Sequence, residues 1–321
     1  MSTVFKHRVQ FFSVALSYML IFVAGLMALV MDTASDRDNY IVLFSDPFAN
    51  SRIEIGFLYY ADILRGLGIP PEVGIVFTSI LIYGLLARVW VYYIRLHWFE
   101  SVFVFNFLVF SLFNYYLGTS IRMGLAMAVA LFAAAQVTRG RYWLGIPLLL
   151  SPLLHYGAAP FVLSFVWLWV TRRASWRFHK VVIGLATLAL PLLIQALPAI
   201  LGLNGYYLQY FNEDLGQTER LFPFTLIFLG FALVLSAVKG NDSILRRIAF
   251  YSLPFFLCGM VTGIPIFGKM LIPNIFIAAI VVVADYKYIY VKNLEPNFRL
   301  FTVMCLNLAG VVYALKAYHY V

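Results

Sequence analysis

Long apolar runs separated by short polar turns dominate the chain. The first runs from about Phe11 to Val30, behind Lys6, His7 and Arg8. It is too long for a signal-peptide core and has no small-residue cleavage site before Asp32, so it predicts a first transmembrane helix that starts in the cytoplasm. A polar segment follows from Asp32 to Arg52, containing Asp36-Arg37-Asp38-Asn39-Tyr40 and Asp46-Pro47. From Glu54 to Gly68 the pattern turns amphipathic, with Asp62 and Arg65 on the polar side. A charged stretch of about fifteen residues predicts an interfacial or re-entrant helix rather than a span, and Pro70-Pro71 ends it. Spans are predicted over residues 73–94, 99–117, 121–138, 179–201, 222–239, 245–262, 270–286 and 300–316, with a second polar loop at Asn204–Arg220.

Residues 142–171 break this rhythm. Basic clusters flank them on both sides, Arg139 and Arg141 before, Arg172, Arg173, Arg177 and Lys180 after. Both ends therefore belong in the cytoplasm, and the stretch must enter and leave as a hairpin of two short helices broken near Pro152 and His155. About thirteen residues at about 1.5 Å each reach only about 20 Å, short of a hydrocarbon core of about 30 Å. His155 is thus expected at the apex, inside the protein. Counting the hairpin as two, about eleven crossings result, with the N-terminus inside and the C-terminus outside.

Composition agrees with a polytopic helical membrane protein. Of 321 residues, 63% are hydrophobic and only 12% charged, and the mean hydropathy is +0.89. That is too apolar for a soluble domain of this length, and continuous rather than alternating runs speak against a β-barrel. The formal charge of +9 does not mark a nucleic-acid face, because the basic residues sit in short turns. All but Arg37, Arg52, Arg65, Arg122, Arg220, Lys269 and Lys316 of the 23 Lys and Arg fall on the predicted cytoplasmic side. Cys258 and Cys305 lie within apolar runs as buried thiols, with no metal framework. No repeat or linker divides the chain, so residues 1–321 are expected to form a single integral membrane domain.

The same topology gathers the chemistry. Asp36, Asp38, Glu54, Arg122, His155 and Lys269 all land on the non-cytoplasmic side, and ionisable residues near lipid are costly unless they face water, a partner or a substrate. Serine-hydrolase, zincin and P-loop motifs are absent. Two cations, Arg122 and Lys269, suit an anionic ligand such as a lipid-linked diphosphate, which arginine grips with a planar fork and lysine with a point charge. They would also stabilise charge on a departing diphosphate. The carboxylates Asp36, Asp38 and Glu54 suit proton acceptance from an attacking hydroxyl or hydrogen bonding to sugars. His155 suits either a base or a donor to the diphosphate. Plainer roles stand beside these. Arg122 could snorkel to the headgroups, and His155 could satisfy backbone freed by the helix break. Lys269 could anchor at the interface, Asp36 and Asp38 could be solvated, and Glu54 could cap its helix.

Asp36-x-x-x-Tyr40, Glu54-x-Gly56-Phe57, and Ile121-Arg122 opening an Ala-rich helix that leads through a basic turn to Leu154-His155 together carry a likeness. In these features the chain resembles the EpsG family of bacterial exopolysaccharide polymerases, relatives of the Wzy-type O-antigen polymerases, over roughly residues 30–290. Members commonly have glutamine where this chain has Met123, and arginine where it has Lys269. The resemblance implies an all-α, GT-C-like glycosyltransferase of the bacterial inner membrane whose active site faces the periplasm or cell exterior. It would join oligosaccharide repeat units carried on undecaprenyl diphosphate, with no metal or cofactor. Membrane lipid surrounds such a protein, and a flippase, a chain-length regulator and export machinery are the implied partners. Nucleic acid is not. Other classes that the residues leave open are a transporter or flippase of lipid-linked sugars and a membrane O-acyltransferase of surface glycans.

Overall fold

A computed structural model of the chain describes residues 37–49, 53–93, 121–200 and 251. Every regular element among them is helical. The helices are α1 (Arg37–Ser45), α2 (Ile55–Gly66), α3 (Pro71–Tyr93), α4 (Ile121–Val137), α5 (Gly145–Leu154), α6 (Ala159–Val170) and α7 (Trp176–Ile200). Among the described residues no helix is long and apolar enough to cross a membrane. The spans expected over residues 11–30, 99–117, 222–239, 245–262 (apart from Tyr251), 270–286 and 300–316 lie outside the described residues, as do Asp36 and Lys269.

The chain divides into two compact units, Met1–Ala159 with Lys292–Val321, and Pro160–Val291. In the first, α4 is the centre. Its small residues Gly124, Ala126, Ala128, Ala130, Ala133, Ala134 and Ala135 are all buried, which lets α3 and α5 pack closely on it. Buried Leu125, Met127 and Leu131 fill the remaining space. α4 ends where Gly140 takes a positive φ of 86°. There the Arg141 N–H reaches the Gln136 carbonyl and the Gly140 N–H reaches that of Val137, the paired closing bonds of a left-handed helix end that glycine favours.

α1 was not expected, since its segment reads as a polar loop. It exists because Tyr40, Leu43 and Phe44 share one face and are buried. Phe44 meets Phe57 of α2 edge-on with ring centroids 5.9 Å apart, and Tyr40 meets the same ring at 6.4 Å. Tyr60 of α2 contacts α3 through its hydroxyl, 2.8 Å from Thr78 Oγ1. Thr78 donates its own proton to the Gly74 carbonyl, so Tyr60 must be the donor. Burial raises the Tyr60 phenol above its ordinary pKa.

The predicted break near Pro152 and His155 is present. α5 contains Pro152, which has no N–H to give the carbonyl four residues back. That carbonyl, of Leu148, instead accepts from Ser151 Oγ at 2.7 Å. The helix then stops at His155, whose extended backbone (φ −164°, ψ 126°) passes into a single 3₁₀ turn, Tyr156–Ala158.

In the second unit, α6 and α7 are linked through Tyr251. Its hydroxyl accepts from Trp167 Nε1 at 2.7 Å and lies 2.8 Å from Nδ1 of the buried His179.

Candidate functional site

Glu54 occupies the N-cap position of α2, but its side chain makes no cap bond. The backbone carbonyl does the local work, accepting from the N–H groups of Phe57 and Leu58. The carboxylate, only 6% exposed, turns instead to Arg122, which donates from Nη1 to Oε2 at 2.6 Å. The pairing holds the guanidinium at the carboxylate, while 26% of the Arg122 side chain stays exposed.

His155 reaches the same carboxylate from the third side. Its Nε2 lies 3.8 Å from Glu54 Oε1, with 24% of its side chain exposed. That is too long for a hydrogen bond. Nδ1 accepts the Gly157 N–H at 2.9 Å, so the neutral ring carries its proton on Nε2, the nitrogen aimed at the carboxylate. The helix break created by Ser151-Pro152 therefore supplies both the position of His155 and the backbone N–H that sets its tautomer.

Gly56 brings the pieces together. A Cβ there would lie 2.8 Å from the backbone carbon and oxygen of Leu153, so only glycine lets the start of α2 lie against the end of α5. Glu54 is two residues before that contact and His155 two residues after it. No reading of the sequence assigned Gly56 or Gly157 a role, although Gly56 stands in the motif that carries the family likeness.

Of the residues singled out from sequence, Glu54, Arg122 and His155 are brought together within the first unit. Asp38 lies exposed on α1, which packs on α2 and α3. Among the described residues no group of acids, histidines and cysteines could hold a metal. Arg139 is lowered from its ordinary pKa by desolvation first and then by the fields of Arg141 and Arg88, yet an arginine so shifted stays cationic.

The sequence profile of the EpsG family matches residues 11–320. The chain belongs to the EpsG family. No curated protein and no solved structure matches it. Membership points to a polysaccharide polymerase of the glycosyltransferase type that acts on a lipid-linked substrate in the membrane. In this EpsG-family protein, three of the residues that carried the likeness, Glu54, Arg122 and His155, meet around one carboxylate, and a fourth, Gly56, lies against Leu153 beside them.

Proposed function

We propose that this EpsG-family protein polymerises oligosaccharide repeat units carried on undecaprenyl diphosphate, at the outer face of the bacterial inner membrane. The observation that carries the reading is the shared carboxylate, with Arg122 bonded to one oxygen of Glu54 and His155 facing the other. Large apolar side chains exposed on the described helices, such as Val42, Ile63, Leu149, Leu163 and Leu188, support a lipid surrounding, and about eleven crossings remain the proposed architecture for the single domain.

In the reaction, a hydroxyl oxygen of one repeat unit attacks the anomeric carbon of the other chain. The bond from that carbon to the diphosphate oxygen breaks, and the diphosphate leaves with the electron pair. Arg122, held in one orientation by Glu54, stabilises the growing negative charge, and His155 donates through Nε2–H. Lys269 adds a further positive charge. Because Glu54 is committed to Arg122, its role is to position that cation. The hydroxyl proton passes to Asp36 or Asp38.

Purified protein in liposomes, given a lipid-linked repeat unit, should produce longer chains and free undecaprenyl diphosphate. Arg122→Lys should lose most of that activity, because a point charge cannot reproduce the fork. Sugar crossing the bilayer with no chain growth would replace this reading with a flippase.

A further inference from the structure

Two rows of exposed apolar side chains run out from the Glu54–Arg122–His155 cluster. On α5 the row is Ile146, Leu149, Leu150 and Leu153, while Leu148 and Ser151 are buried. On α2 it is Ile55, Tyr59 and Ile63, while Phe57, Leu58, Ala61 and Leu64 are buried. Spacings of three and four residues put each row on one helix face. The rows meet where Gly56 lies against Leu153, which is also where Glu54 begins α2 and His155 ends α5.

Bulk bilayer would account for exposed leucines anywhere on the surface. It does not account for two apolar rows that both end at a carboxylate shared by an arginine and a histidine. A molecule with an anionic head and a long hydrocarbon tail matches the whole arrangement, its head at the Arg122 guanidinium and the His155 Nε2–H and its tail along a row. We propose that the exposed rows of α5 and α2 seat the isoprenoid tail of a polyprenyl diphosphate whose head lies at Arg122 and His155. That the head is a diphosphate rests on the polymerase reading above. α5 is about 15 Å long at about 1.5 Å per residue, so the seat holds the part of the tail nearest the head. The tail then leaves into lipid.

The test uses the full-length protein in phosphatidylcholine nanodiscs with radiolabelled, sugar-free undecaprenyl diphosphate. Photoreactive benzoylphenylalanine replaces Leu150 or Tyr59, and Leu188, exposed on α7, serves as the control position. Labelling at 150 and 59 should exceed that at 188 severalfold and be competed by unlabelled undecaprenyl diphosphate. Equal labelling at all three positions would mean bulk lipid, and a crosslinked dimer would mean a second copy of the chain; either overturns the proposal. In a second arm, the double substitution Leu150→Ser, Leu153→Ser should weaken undecaprenyl diphosphate binding on the order of tenfold or more. Geranyl diphosphate, with the same head and little tail, should bind it as it binds the unaltered chain. An equal loss for both ligands would place the effect at the head site and overturn the tail seat. Neither arm measures turnover. Tail labelling without polymer formation would sink the polymerase reading alone, and polymer formation without tail labelling would sink this one alone.

Discussion

Gly56→Ala is the sharpest perturbation of the site that changes no charge. The added methyl would lie 2.8 Å from the carbonyl carbon and oxygen of Leu153 and 3.0 Å from its Cβ. Those are mostly backbone atoms, next to a proline, and cannot swing aside as a flexible side chain would. Overpacking of this kind costs about 1–3 kcal/mol. Gly66 provides the control on the same helix, since an added Cβ there would meet nothing within 4 Å. Gly66→Ala should therefore stabilise by about 0.4–1 kcal/mol through loss of unfolded-state freedom. The same substitution, ten positions apart on α2, should thus shift stability in opposite directions, with a gap of about 1.4–4 kcal/mol. Thermal unfolding of the detergent-purified variants, followed by tryptophan fluorescence, reads the difference. Polymer formation adds a second reading, because any retreat of α2 from α5 also widens the 3.8 Å separation of Glu54 and His155. A Gly56→Ala protein as stable as Gly66→Ala would refute the claim that α2 and α5 touch there.

Glu54→Gln leaves the Arg122 guanidinium without its counter-charge. Breaking a fully buried pair costs about 3–5 kcal/mol, and the partial exposure of Arg122 lowers this to about 1–3 kcal/mol, measured as a fall in melting temperature with loss of polymer. His155→Gln keeps a donor, so chain growth should fall in part, while His155→Ala should abolish it; equal activity in the two variants would remove the donor role. Tyr251→Phe deletes the hydroxyl between Trp167 and the buried His179. It should cost about 1–3 kcal/mol in thermal unfolding and leave lipid-diphosphate affinity unchanged.

Much of the helical layout was legible in the chain because apolar run length and punctuation are local signals. Helices stand at Ile121–Val137 and Pro71–Tyr93 where runs at 121–138 and 73–94 were expected, although among the described residues no helix is long and apolar enough to cross a membrane, and the chain breaks at His155. α1 was missed because Asp36, Arg37, Asp38 and Asn39 dominate the eye, although Tyr40, Leu43 and Phe44 already had helical spacing. At the site, the candidates could be picked out because charge beside lipid is expensive. Their grouping could not, since no pattern links Glu54 to Arg122 across 68 positions. The carboxylate accordingly read as a proton acceptor or a sugar ligand, with nothing in the sequence to show that Arg122 bonds to it. Gly56 lay beyond sequence reasoning for a similar reason, because a close approach to Leu153 becomes visible only once α2 and α5 are folded.

That separation of 68 positions also sets a clock. A ribosome adding roughly 5–20 residues per second needs about 3–14 s to travel from Glu54 to Arg122, and further seconds to reach His155. During that interval the acid at the head of α2 has none of its eventual partners. It can stay hydrated only if the start of the helix is held near water. Synthesis of Arg122 supplies the charge that lets Glu54 withdraw from solvent, and His155 arrives last, when α5 closes over Gly56. The carboxylate that the folded chain leaves only 6% exposed therefore has no counter-charge until the second half of this stretch has been made.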